Sequence, residues 1–476
     1  MIQWSKLRFK PPVLIVPAII YLLNSLVIQK IGLSADGAHY ALYANHLSLG
    51  YVDHPPLIGW LLALMISLFP GQEWSLHAVP LVFSFLSLLV IDRLAGTLNL
   101  PNKYLILFCF ISVVWNALTF LALTQAPLIF FCLLSCYAFH QWLQTTTYLR
   151  SISLGLSLGL AGLSDYSAFL VAFGFCLYLA FYQPKKLFST QSLLTAFIAF
   201  MCVSPFLWWN TQHHWISFSA GYDHSLSGSF SWHWFLQAII LQFAGYSPAL
   251  VIFGLMGALS ALKHKHAKQS ILAIPGLIVI ILMNFSGMHH KIFFHWPALG
   301  YLLLAPLAYT TIIKHWSCVW TKIIVIFSIL VSACVYLIFY LQIFFSPMTF
   351  SLGHNPLMDL YGWKTIGQEA KFLAEQHGEK KPILFVPNWS LASRLAWYSG
   401  LPVQILQPSP IAGYQQFVMW YGAPSHNAHG ILVIPFKWPK PAVNSPCVLI
   451  HTMTISAHQK LINQVYFYQC HALPFV

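Results

Sequence analysis

Charge is what this 476-residue sequence has least of: charged side chains make up 7% of it, and Asp and Glu together number 10. A soluble globular domain carries about a quarter charged residues, so that class is excluded, and a mean hydropathy of +0.70 makes lipid the solvent. A basic stripe is missing too. The formal charge of +13 comes from Lys and Arg scattered singly, which excludes nucleic acid as a partner. Heptads, low-complexity tracts and a solenoid period are absent, as are the internal repeats and mid-span charges expected of a secondary transporter. No small-residue cleavage site follows Lys6, Arg8 and Lys10, so the first apolar stretch reads as a retained helix, not a removed signal. Cysteines able to pair are few. Cys109, Cys132, Cys136, Cys176, Cys202, Cys318 and Cys334 lie in apolar runs, where a thiol behaves as a small hydrophobe. That leaves Cys447 and Cys470 as a disulfide in an oxidising compartment, or as two separate thiols, since Cα spacing cannot be read from sequence.

What is abundant is apolar, with 58% hydrophobic residues. A membrane helix needs ~20 mostly apolar residues. About eleven stretches qualify: 11–29, 76–97, 104–122, 127–145, 151–163, 166–182, 189–207, 233–262, 270–285, 294–313 and 319–345. The fifth is too short to cross without help from its neighbours. The 18 Trp and 22 Tyr suit repeated crossings of the interface, where amphipathic rings are favoured. Lys and Arg collect in alternate loops, as the positive-inside rule requires; before residue 346, Lys30 and Lys291 are the exceptions. This predicts a cytoplasmic N-terminus and, with an odd number of crossings, an outer C-terminus. Acids show the reverse bias. Asp36, Asp53, Glu73, Asp165 and Asp223 fall outside and Asp92 inside, beside Arg93; in a chain this poor in charge, such acids point to function.

From residue 346 the texture changes to short apolar runs, charges and turn residues. An amphipathic stretch from Trp363 to Gln376 precedes a strand-like 382–387, a helical Ser390 to Tyr398, and strand-like runs at 403–406, 431–435 and 447–450. Strands alternating with helices predict a small α/β unit. The expected fold is therefore mainly α: a polytopic membrane helix bundle over residues 1–345, with a small α/β domain over 346–476 on the periplasmic side.

The outer loops at 30–75, 208–232 and 285–293 are where chemistry is expected. Asp36, His39 and Tyr40 share a face if residues 36–47 form an interfacial helix, because residues three and four apart are neighbours. In Asp53-His54-Pro55-Pro56, Pro55 pushes His54 out of the helical region and Pro56 can open the apolar helix that follows. The alternative makes Asp53 an N-cap and Asp36 a solvated loop acid. The His pairs at 213–214 and 289–290 lack ligand spacing on any one element and read as interfacial hydrogen-bonders, with metal ligation as the alternative.

Several motifs carry a resemblance. They are Asp36-x-Ala-x-Tyr40, Gly50-Tyr-x-Asp53-His-Pro-Pro-Leu57, the block from Ser204-Pro-Phe-Leu-Trp-Trp-Asn210 to Trp215-Ile-Ser-Phe218, Trp296-Pro297, and Tyr361-Gly-Trp363. In order and rough spacing the chain resembles bacterial GT-C glycosyltransferases of the protein-mannosyltransferase and aminoarabinose-transferase group. The resemblance implies a multi-pass inner-membrane enzyme of GT-C fold, inverting, that moves a sugar from a polyprenyl-phosphate carrier to a periplasmic lipid A, envelope glycan or protein. It places the acidic base or metal ligand of the first outer loop at Asp36, with Asp53 as the second catalytic acid. His39, Tyr40, His54, Gln125, Asp165, His290, Lys291 and Trp296 would bind substrate. An acceptor hydroxyl needs a positioned carboxylate to take its proton. The departing phosphate benefits from a cation, for which Lys291 is the candidate; a Lys that merely snorkels is the alternative.

The sequence departs from the resemblance at three places. Gly37 follows Asp36 where relatives usually carry Glu, Gln125 replaces an acid, and Asp165 stands before Tyr166 where Lys is common. No cofactor is fixed by these residues: a divalent metal is possible, with Asp165 or His39 compensating for Gln125. The same departures support a rival function, a non-catalytic polyprenyl-lipid binder or translocator of the same fold.

Overall fold

The computed structural model describes residues 11–226, 228–289, 293–377, 382–406, 412–425, 428–441 and 446–471. The N-terminal part is a helix bundle: α1 (Pro11–Ile28), α2 (Ala35–Asn45), α3 (Leu57–Leu68), α4 (Trp74–Thr97), α5 (Leu105–Cys109), α6 (Val113–Leu118), α7 (Gln125–Gln144), α8 (Tyr148–Ser164), α9 (Ala168–Tyr182), α10 (Pro184–Leu187), α11 (Thr190–Gln212), α12 (Ile216–Leu226), α13 (Trp232–Tyr246), α14 (Pro248–Lys263), α15 (Ala267–Ser286), α16 (Ala298–Lys314) and α17 (Val319–Phe345). Among the described residues five helices, α4, α7, α11, α15 and α17, are long and apolar enough to cross a membrane, or six if the bent pair α13 and α14 forms one span. The other apolar helices are shorter, so the expected count of eleven rests on them.

Two expected spans are interrupted. Residues 104–122 form α5 and α6 with a break at 110–112, where Ser112 caps α6 by accepting from Trp115 N. Exposed peptide groups are not tolerated in hydrocarbon, but a break packed in protein is, and α17 supplies the partners. Tyr336 Oη donates to the carbonyls of Phe110 (2.7 Å) and Ser112 (2.8 Å), and Ser332 Oγ donates to that of Ile111 (2.6 Å). The stretch 233–262 bends by 103° between α13 and α14, at Ser247, whose φ is 74° and whose hydroxyl caps α14 ahead of Pro248. Close helix contact is set by small residues: a Cβ on Gly159 would lie 2.4 Å from Cys202 Cβ, so α8 and α11 approach there only because the residue is glycine.

The C-terminal part holds α18 (Trp363–Gln376), β1 (Leu384–Val386), α19 (Trp389–Ser399), β2 (Val403–Ile405), α20 (Ala412–Tyr421), β3 (Gly430–Pro435), β4 (Cys447–Ala457) and β5 (Lys460–Cys470). Strand order is β2-β1-β3-β5-β4, parallel among the first three and antiparallel from β3 to β4. Helix α20 and strand β5 were not expected from the sequence. Cys447 and Cys470, paired across β4 and β5, form a disulfide. The two parts meet at α2: Tyr40, Ala41 and Tyr43 belong to the bundle core, while Leu42 belongs to the α/β core.

Candidate active site

Helix α2 covers most of the expected 36–47, starting one residue earlier and ending at Asn45, and Ser34 caps it by accepting from Gly37 N. Asp36 sits in its first turn, where the helix dipole favours an anion, and His39, Tyr40 and Tyr43 follow on the same face. The loop after α2 is braced from two other elements. Ser217 Oγ on α12 donates to Tyr51 O (2.7 Å), and Val52 N donates to Gln416 Oε1 on α20 (2.7 Å). Gly50 lets Phe206 and Trp209 of α11 approach, packing the Gly-Tyr-x-Asp motif against the Ser-Pro-to-Phe block. Helix α3 starts at Leu57 after Pro56, so Asp53 is not its cap.

Asp53 instead turns inward. Its Oδ2 lies 3.0 Å from His39 Nε2, an ion-pair contact off the line of an aligned N–H bond, and Tyr43 Oη donates to its Oδ1. Burial alone would raise this carboxyl, but His39, His54 and the Tyr43 hydroxyl hold it well below the usual carboxylate range. His39 is 1% exposed, and its Nδ1 faces Ser393 Oγ on α19 at 3.1 Å. His54 is hydrogen-bonded through Nε2 to Tyr40 Oη at 2.8 Å, with Nδ1 3.7 Å from Asp165 Oδ2. Asp165 accepts from Thr124 Oγ1 (3.2 Å) and from the N–H and hydroxyl of Ser167 (2.9 and 2.8 Å).

Asp36 is different. It makes no hydrogen bond or ion pair with any described residue, and burial pushes its carboxyl above the usual range, with His39 and His54 pulling against that rise and Asp53 adding to it. Of the three aspartates, it is the one with its oxygens uncommitted and a raised proton affinity.

The structure thus brings together Asp36, His39, Tyr40, Asp53, His54 and Asp165, with Gln125 joined through Thr124 Oγ1 (3.4 Å). Trp296 lies in the turn before α16, its ring beside that of Phe293. His290 and Lys291 lie outside the described residues. His213 and His289 bond backbone carbonyls, of Trp209 (2.8 Å) and Gly228 (3.0 Å). Among the described residues no three His, Cys, Asp or Glu side chains group as metal ligands. Sequence reasoning missed Tyr43, Thr124, Ser393 and Arg394. Tyr43 was findable, four residues after His39 on the same face; Ser393 and Arg394 come from a distant helix. Arg394, 1% exposed, is committed to Asp359, donating from Nη1 to its Oδ1 (2.9 Å) and backbone O (2.8 Å).

Residues 53–209 match the family described as dolichyl-phosphate-mannose-protein mannosyltransferase. The chain is 22% identical over 373 residues to the lipid A galacturonosyltransferase RgtD of Rhizobium johnstonii, covering 72% of this chain and 73% of that protein. Its fold is similar to ArnT from Cupriavidus metallidurans in the apo state (13% identity, TM-score 0.63, 96% of this chain and 97% of that one). It is similar also to ArnT bound to undecaprenyl phosphate (12% identity, TM-score 0.60, the same coverage). The resemblance to the GT-C group that the motifs carry is shown by these matches taken together.

Proposed function

We propose that this protein is an inner-membrane glycosyltransferase that takes a sugar from a polyprenyl-phosphate carrier and passes it, with inversion, to an acceptor hydroxyl on lipid A, another envelope glycan or a protein. The observation that carries this reading is the division of labour among the aspartates: Asp53 and Asp165 are engaged, while Asp36 is uncommitted and holds a proton more tightly than an ordinary carboxylate. A base of raised proton affinity is the stronger base near neutral pH. The Asp36 carboxylate takes the acceptor hydroxyl's proton, the hydroxyl oxygen attacks the anomeric carbon, and the bond from that carbon to the phosphate oxygen breaks. The charge left on the polyprenyl phosphate is met by Lys291, and His54, held between Tyr40 and Asp165, binds substrate. Asp53 serves through His39. The ArnT structure bound to undecaprenyl phosphate supports the carrier class, and RgtD supports a lipid A acceptor.

In the topology we propose, the N-terminus is cytoplasmic and residues 346–476 are periplasmic, with loops 30–75, 208–232 and 285–293 on the same side. The test is Asp36→Asn in a reconstituted assay with polyprenyl-phosphate sugar. Loss of a general base costs ~100- to 10,000-fold, with insertion and folding retained. In the unmutated protein, transfer falls as pH drops through the raised Asp36 value, because the protonated acid cannot accept a proton; the limb therefore lies above the ordinary carboxylate range. Full activity in Asp36→Asn would sink the mechanism. An unmutated protein that binds the carrier but transfers nothing would favour the lipid binder or translocator.

A further inference from the structure

We propose that the cavity at the carboxyl edge of the C-terminal sheet is a subsite for an acidic sugar of the acceptor, a saccharide unit bearing a phosphate or a carboxylate. The assignment to the acceptor rests on the transferase reading above, and the site itself on its geometry.

Topology opens the cavity. From β1 the chain runs through α19 to β2 on one side, and from β3 it runs to β4 on the other. The connections therefore diverge and leave a crevice outside the carboxyl ends of two adjacent parallel strands, where open α/β sheets hold their ligands. The crevice here has a volume of about 420 Å³, within the range of small-molecule sites. Ser390, Leu391 and Arg394 line it from α19, and Pro435, Lys437 and Trp438 from the chain leaving β3.

The lining suits a charged sugar. Asn463 of β5, also in the wall, is 1% exposed; its Oδ1 accepts from Gln464 N (2.9 Å), while its Nδ2 has no hydrogen-bond partner among the described residues. Buried donors are normally satisfied, and an oxygen of a bound sugar would satisfy this one. Arg394 is fixed: its guanidinium lies over the Trp363 ring, 4.1 Å from the centroid, with Nε given to Ser390 O (3.1 Å) and Nη1 to Asp359 Oδ1 (2.9 Å). That carboxylate matches its charge and keeps Oδ2 to accept from a hydroxyl. Lys437 is exposed and makes no ion pair with any described residue, so two cations face one carboxylate and the excess selects an anion. The half-buried Trp438 adds an apolar wall. A pyranose ring, with C–H groups on its face and hydroxyls at its rim, uses both kinds of surface; a free phosphate would leave Asn463 and Trp438 unused.

Helix α19 joins the cavity to the reaction centre. Trp389 and Ser393, on one ridge, meet His39, with ring centroids 5.6 Å apart and Ser393 Oγ 3.1 Å from Nδ1. Ser390 and Arg394, on the next ridge, meet the cavity. A helix is about 10 Å across, so an acceptor with more than one sugar unit can rest one here while another reaches toward Asp36.

The test uses the full chain in lipid nanodiscs and saturation-transfer NMR, with glucose 1-phosphate, glucuronic acid, glucose and inorganic phosphate as probes. Glucose 1-phosphate or glucuronic acid should bind, the tighter of them identifying the acidic group, and glucose and competing phosphate should bind more weakly. Lys437→Glu, a change at an exposed position, should weaken the acidic sugar by about tenfold or more, the low end for a hydrogen bond to a charged group, and Lys437→Arg should keep it. Binding unaltered in Lys437→Glu, or glucose or inorganic phosphate bound as tightly as the acidic sugar, would overturn the site, and none of these readings depends on transfer being detected. With polyprenyl-phosphate galacturonic acid as donor and lipid A as acceptor, Lys437→Glu should raise the KM for lipid A. A rise confined to the donor's KM, or none in either, would overturn the assignment to the acceptor. No transfer by the unmutated protein, with the acidic sugar still bound, would count against the transferase reading alone.

Discussion

Gly50→Ala is the substitution by which packing around the first outer loop can be tested without touching a polar group. A Cβ at this position would lie 2.8 Å from Phe206 Cδ2, 2.8 Å from Trp209 Cε3 and 2.9 Å from Trp209 Cδ2. Carbon atoms rest at about 3.5–4.0 Å, so ring and loop must separate by about 0.7 Å. Neither ring is free to do so: Phe206 is buried against Leu57 and Leu163, and Trp209 is stacked on His213 at 4.0 Å. The loop cannot swing without straining its bonds to Ser217 and Gln416. Overpacking of this kind costs about 1–3 kcal/mol. Three residues on, the displacement reaches Asp53 and its contact with His39. A misplacement of about 1 Å costs on the order of 100-fold in rate, so transfer should fall by roughly that much while the melting temperature drops modestly. Phe206→Leu, by removing one of the two rings, should restore part of both losses in the double variant. Wild-type activity and melting temperature in Gly50→Ala would refute the packing argument.

Two further outcomes follow from the chain's connectivity. The disulfide closes a loop with a sequence separation of 23; chain-entropy arguments put its contribution at about 3 kcal/mol, so Cys447→Ala should lower the melting temperature, and alkylation should label both thiols only after reduction. A C-terminal alkaline phosphatase fusion should be active; inactivity, with a cytoplasmic reporter active at the same junction, would reverse the proposed topology and put Asp36 on the other face.

Much of this was legible in local sequence. Helix α18 has the bounds expected, and the face shared by Asp36, His39 and Tyr40 is a matter of spacing. The break at 110–112 was not legible, because its stabilising partners, Ser332 and Tyr336, lie more than two hundred residues away. Strand β5 escaped notice because Asn463, Gln464 and Gln469 interrupt its apolar pattern, while pairing on both sides holds it in the sheet. Ser393 and Arg394 carry no local signature at all; each looks like an ordinary polar residue of an amphipathic helix until α19 is placed against α2. Asp53 shows the same limit. Its motif announced an important acid, but only the positions of His39 and Tyr43 distinguish an engaged carboxylate from an uncommitted one.

The seat of α2 between two cores has a consequence for biosynthesis. His39 and Ser393 are 354 residues apart in sequence, and at ~5–20 residues per second the ribosome delivers the second roughly 20–70 s after the first. Throughout that interval the helix bearing Asp36 can insert beside its bundle partners, but Leu42 faces no α/β core and His39 no serine. A nascent or truncated chain therefore displays its apolar helices before the contacts around His39 and Leu42 are complete, and residues C-terminal to α17 supply the missing ones.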